Sequence, residues 1–173
     1  ALYYKIRSGL GFQKNVTEFG AFPMDPYSHT PSDSKARQPG MTGQVKEEII
    51  TRMGELGIQV IKDELYFRPF LLKSSELLDS PTVFEYYNVD GEYISSNLPA
   101  KSLAFTVCQT LVVYRASNKT NKIKVKLKNE PLKEYAGVKH SRNISKKIFS
   151  RSGEVEFIEV ILKENDFLTL FEH

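Results

Sequence analysis

Apolar residues along this chain follow two different periods, and the change of period divides it. From Thr42 to Leu56 the residues Val45, Ile49, Met53 and Leu56 recur at helical spacing, which predicts an amphipathic helix. Glu48 and Arg52 add an i,i+4 pair on its flank, and Gly57 is a natural stop just past its end. Beyond Gly57 the pattern shortens to alternation. The segments "IQVI", "ELYFRPF", "PTVFEYYNV", "EYISS", "SLAFTVCQTLVVYRA", "KIKVKLK" and "GEVEFIEVIL" read as strands. Asp90-Gly91, set between two of them, is a strong hairpin signal. "SLAFTVCQTLVVYRA" exceeds the usual length of one strand, so a bend or bulge is expected at Gln109-Thr110. "HSRNISKKIFSRSG" predicts a short helix or an irregular turn before the last strand.

The strands follow one another without long helices between them. Parallel pairing needs crossovers of a dozen or more residues, so antiparallel pairing is expected. The fold class that follows is mainly β, an antiparallel β-sandwich or jelly roll preceded by a helical and long-loop segment. The expected division is residues 1–57, helix and loop, and residues 58–173, the β-sandwich. Within the first part, Leu2 to Leu10 fits the end of a helix stopped by Gly9 and Gly11. A turn-rich stretch with four prolines, "FGAFPMDPYSHTPSDSKARQPG", follows it. A structureless loop of that length in a compact domain signals function or disorder, and Phe19, Phe22 and Tyr27 argue against full disorder in its first half.

Composition narrows the function classes. Of 173 residues, 40% are hydrophobic, enough for a core, and a net charge of +3 is too small to imply a nucleic-acid partner. No apolar run approaches the length that spans a membrane. Cys108 is the single cysteine, so no internal disulfide forms, and a cytoplasmic location is expected over a secreted one. His29, His140 and His173 are scattered without metal-ligand spacing, so neither a metal nor another cofactor is expected. The same scatter argues against a small enzyme of cupin shape. Cys108 lies in an apolar run and reads as a small buried hydrophobe. The lysines of "KIKVKLK" read as an exposed strand face that discourages edge pairing.

Two stretches could carry chemistry. The early N–H groups of a helix lack internal partners and carry partial positive charge. Gly40, Thr42 and Gly43 sit where the helix opens and could cradle an anion or a sugar hydroxyl, with Gln44 adding an amide. The plainer alternative makes Thr42 a helix cap and the glycines simple turn residues. In "DPYSHTP", Asp25, Tyr27 and His29 alternate, so an extended segment would turn all three to one side. A carboxylate, a phenol and an imidazole together suit a polar ligand; otherwise they satisfy a rigid proline-bounded loop. Glu47, Glu48 and Glu55 are helix glutamates of the kind that normally face solvent, and no spacing selects one as a catalyst.

The order of motifs, His29-x-Pro31, Gly40-Met41-Thr42-Gly43-Gln44-Val45, a helix, Gly54-Glu55-Leu56-Gly57-Ile58, a strand and Phe67-Arg68-Pro69-Phe70, resembles the C-terminal part of glycoside hydrolases and inverting glycoside phosphorylases built on an (α/α)6 barrel, the cellobiose and chitobiose phosphorylase type. The likeness covers roughly residues 20–72. It implies that Gly40 to Gly43 line the base of a sugar site where phosphorylases hold phosphate, with His29 nearby. Phosphorylases usually carry an aromatic residue where this chain has Gln44, which weakens the phosphate assignment and leaves hydrolysis open. The resemblance places the general acid in an earlier barrel segment, so this chain would be a C-terminal piece, inactive alone. Its partners would be a sugar or phosphate and the remaining barrel helices, and exposed helix surface would favour self-association. The alternative is a self-contained, non-catalytic β-sandwich module for binding or interaction.

Overall fold

The computed structural model describes residues 42–117 and 120–168, together with Leu2 and Lys5, both helical. The chain divides into two compact units, Ala1–Met53 and Gly54–His173. Helix α1 spans Thr42–Glu55, where the helical period predicts it. The chain then reverses at Gly57, which has a positive φ of 66°. Its N–H donates to Gly54 O at 3.1 Å, and its own carbonyl accepts from Arg68 N at 2.8 Å. A Cβ added at Gly57 would lie 2.0 Å from the Arg68 carbonyl carbon and oxygen, so both the φ and the space demand glycine here.

The second unit holds nine described strands: β1 (Ile58–Ile61), β2 (Glu64–Phe67), β3 (Thr82–Tyr87), β4 (Tyr93–Leu98), β5 (Ser102–Val107), β6 (Thr110–Ser117), β7 (Lys122–Leu127), β8 (Lys133–Ala136) and β9 (Val155–Lys163). The short helix α2 (Arg142–Phe149) precedes β9, and Ser141 caps it by accepting from Ile144 N. Five strands make one sheet in the order β5-β6-β9-β7-β8, while β1-β2 and β3-β4 are separate hairpins. The mainly β class is thus as expected.

Alternation sorts the sheet's side chains onto two faces. Val112, Tyr114, Ile123, Val125, Ile158, Val160 and Leu162 join one cluster with Leu65 and Phe67 of β2 and Ile144 and Ile148 of α2. Leu111 and Val113 point the other way and meet Leu98, with Phe84, Tyr86 and Phe157 packed around them. Strand β9 lies between β6 and β7 and carries apolar residues toward both faces, as a central strand should. Tyr114 ties the larger core to the end of α1. It is fully buried, edge-on to Phe67 and Phe105, and its hydroxyl donates to the Leu56 carbonyl. That bond satisfies a carbonyl the helix end leaves without an internal donor.

Four details depart from the expectations. β6 and β9 pair in parallel, Leu111 opposite Phe157 through Ser117 opposite Lys163. The long crossover that parallel pairing requires is supplied by β7, β8 and α2 rather than by a single helix. The segment from Ser102 is a hairpin, not one bent strand, and turns at Cys108 and Gln109, whose φ angles are 48° and 65°. Cys108 is accordingly a half-buried turn residue. β7 is an interior strand between β9 and β8, so its lysines do not guard an edge; Lys124 instead pairs with Glu159 at 3.1 Å. Glu55, expected at the surface, is fully buried.

Candidate functional site

The residues singled out for chemistry at the helix opening fall largely beyond what the structure describes. Asp25, Tyr27, His29 and Gly40 lie outside the described residues. Thr42, Gly43 and Gln44 form the first turn of α1, and only their backbone is described.

Within the second unit, a cleft of about 480 Å³ opens where the ends of β2 and β9 meet. Its first wall is the segment after β2. Phe70 N donates to Arg68 O at 2.9 Å, closing a three-residue turn around Pro69, and Leu72 N then donates to Pro69 O at 3.0 Å. Proline's fixed φ suits the centre of such a turn. Arg68 and Phe70 flank it, both exposed, with Phe70 at 61%. The guanidinium of Arg68 lies 5.2 Å from the centre of the Tyr66 ring, a cation–π arrangement.

The opposite wall follows β9. Glu164–Asp166 form a short 3-10 turn. The N–H of Lys163 donates both to Asp166 Oδ2 (3.0 Å) and to Asn121 Oδ1 (2.9 Å), which fixes the two side chains side by side. Leu168 N donates to Leu72 O at 2.8 Å and Ser74 N to Leu168 O at 3.0 Å, lacing this wall to the first. Phe67, Val138, Leu162 and Phe167 supply the apolar lining. The cleft therefore combines a buried hydrocarbon base with Arg68, Asn121, Asn165 and Asp166 at its polar parts, one positive charge set against one negative. Neither Asn165 nor the Nδ2 of Asn121 has a protein hydrogen-bond partner among the described residues.

A second hollow of about 310 Å³ sits beside the β3–β4 loop. Its polar groups are largely spent on one another. Asp90 pairs with Lys128 at 3.2 Å, Asn88 donates to Glu92 at 2.8 Å, and Gln109 donates to Asn88 O at 3.2 Å. Among the described residues no group of histidine, cysteine, aspartate and glutamate is placed to hold a metal ion, and no helix is long and apolar enough to cross a membrane.

Among the described residues the histidine is His140, and it is buried. The chain before it docks on β2, with Phe67 N donating to Val138 O and His140 N to Leu65 O, both at 2.9 Å. This docking drives the imidazole into the core, 1% exposed and edge-on to Phe67 at 5.6 Å, with neither ring nitrogen bonded. Burial without a partner disfavours the charged form and pulls its pKa down to about 4. Packed among apolar side chains, it makes the stability of the fold sensitive to acid.

Sequence reasoning reached Arg68 and Phe70 only as parts of a quoted motif. It missed Asn121, Asn165 and Asp166, which come from two other segments and carry no local signal of convergence. No protein-family model matches the chain, and no curated protein matches it.

Proposed function

We propose that this chain is the C-terminal piece of a carbohydrate-active enzyme of the glycoside hydrolase or glycoside phosphorylase type, and that its β unit is the accessory domain following a helical barrel. The observation that carries this reading is the surface of α1. Ile49, Ile50 and Met53 are 54%, 69% and 43% exposed. Ile49 and Met53 share a face at i,i+4 spacing, and a contiguous apolar face on a helix calls for a covering partner. Barrel helices earlier in the parent polypeptide would cover it, and in their absence a second copy would do so. The chain alone is then not catalytic, because the general acid of such enzymes belongs to an earlier segment. In the assembled enzyme the turn at Gly40 to Gln44, with Asp25, Tyr27 and His29, lines the sugar or phosphate pocket. The lone cysteine fits residence in the cytoplasm.

A second reading, a self-contained binding module, draws support from Leu56, which is buried in the core of the β unit. The coding sequence upstream of the Ala1 codon separates the two. A run of amphipathic helix pairs in frame is the expected finding, and a start codon directly before Ala1 would exclude the fragment reading. For the pocket, calorimetric titration of inorganic phosphate and cellobiose is expected to lose its heat in both His29→Ala and Thr42→Ala. Undiminished binding in both variants removes it.

A further inference from the structure

We propose that the cleft between the Arg68–Phe70 turn and the Asn165–Leu168 segment binds one neutral sugar ring. The inference concerns a different part of the chain from the helix-opening turn and does not depend on it. Its size, about 480 Å³, lies within the range typical of small-ligand sites. The ligand class follows from elimination by chemistry. A purely apolar ligand would strip water from Asn121, Asn165 and Asp166 without replacing their hydrogen bonds, which is costly. An anion would gain Arg68 but face the carboxylate of Asp166, and a cation would meet the reverse. A neutral polyhydroxylated ring avoids all three penalties.

The groups match such a ring on both of its aspects. A pyranose has an apolar C–H surface and an equator of hydroxyls that both donate and accept. Phe70, already 61% exposed beside the cleft, offers a flat ring for the first. For the second, Asn121 Nδ2 and the Arg68 guanidinium donate, the Asn165 amide does both, and Asp166 Oδ1 accepts. The Asn121 and Asp166 oxygens that face Lys163 N are held in place before any ligand arrives, which limits the ordering cost of binding.

The test is an amide NMR titration of the full chain with methyl β-glucopyranoside, cellobiose and diacetylchitobiose, and with sodium acetate and inorganic phosphate as anionic probes. Saturable shifts are expected at Arg68, Phe70, Asn121 and Asn165–Leu168 with at least one sugar. Affinity should fall roughly tenfold in Phe70→Ala, the loss that about 1.4 kcal/mol represents. A smaller loss is expected in Asn165→Ala. Both side chains are exposed, so the fold should be retained, and unchanged thermal melting verifies this. His29→Ala and Thr42→Ala should leave these shifts intact, which separates this site from the helix-opening pocket. The proposal is overturned if none of the three sugars shifts these amides, if both cleft variants bind as wild type, or if acetate or phosphate binds here in preference to the sugars.

Discussion

The hairpins β1–β2 and β3–β4 cover opposite faces of the same sheet, and they are anchored in opposite ways. β1–β2 has strands of only four residues, yet Leu65 and Phe67 are completely buried. Its second strand is gripped from outside. Leu65 N donates to the buried Ser145 hydroxyl of α2 at 2.9 Å, and residues 138–140 dock along it through main-chain bonds. β3–β4 has six paired positions, but in its strands only Leu98 is buried, while Val83, Tyr87 and Tyr93 face out at 53%, 63% and 56%. The short hairpin is held by tertiary partners and the long one chiefly by its own ladder. Strand length is therefore a poor guide to how firmly an element is fixed; the partners of its buried side decide that.

The sharpest way to break this comparison is to truncate one anchor on each side. Phe67→Ala removes a ring that touches Tyr114 and His140 edge-on, and should cost roughly 3–5 kcal/mol. Leu98→Ala empties part of a much smaller cluster and should fall near the low end for its type, about 2 kcal/mol. Urea unfolding followed by circular dichroism measures both. Equal losses would mean that the two faces are equally anchored.

Acid provides a second, smaller lever, and it acts on one side only. His140 is buried neutral in folded protein, with its pKa pulled from 6.5 to about 4 by burial. The unfolded chain therefore takes up a proton that the folded one refuses. Its contribution is fully present above about pH 6.5, is lost as pH falls toward 4, and changes no further below that. Between pH 7 and pH 5 the loss amounts to about 2 kcal/mol. The carboxyls of Glu64, Glu130, Glu134 and Glu154, each held low chiefly by a lysine hydrogen bond, lose their share as pH falls below their ordinary value of 4.5, so the range from pH 7 to 5 reports His140. His140→Phe should flatten the profile between pH 5 and 7, because a phenyl ring takes up no proton in either state. A variant with the wild-type slope would assign that acid sensitivity to another group.

Most of this architecture was legible where a signal is local. Eight of the nine described strands, all but β8, overlap segments marked by alternation, α1 is marked by its period, and its end by Gly57. Asp90-Gly91 located the loop between β3 and β4. The turn at Cys108-Gln109 was not recognised as a hairpin, because two-residue turns of positive φ usually advertise themselves with glycine or asparagine and this one has neither. The β6–β9 pairing was missed for a different reason. Register between strands separated by two other strands and a helix depends on the whole sheet and leaves no trace in either segment. β8, four residues with a charged pair at its start, has too little alternation to stand out. The cleft shares this non-local character. Arg68 and Phe70 lie at the end of β2, Asn121 before β7, and Asn165 and Asp166 after β9, so only the folded sheet brings them together.

The smallest expected effect tests the weak side of the comparison directly. Tyr87 and Tyr93 are cross-strand partners on the outer face of β3–β4, with ring centres 5.3 Å apart and planes tilted by 59°. Neither is buried, so removing one ring forfeits a pair contact but opens no cavity. Tyr87→Ala should cost only about 0.5–1 kcal/mol in urea unfolding, the range for an exposed cross-strand pair. If β3–β4 depends mainly on its ladder, that loss should appear as faster amide exchange confined to β3 and β4, with the Leu65 and Phe67 amides unchanged. A loss as large as that of Leu98→Ala would show that the outward face carries as much of the hairpin's stability as its buried one. The two hairpins would then differ in which face holds them rather than in how firmly they are held.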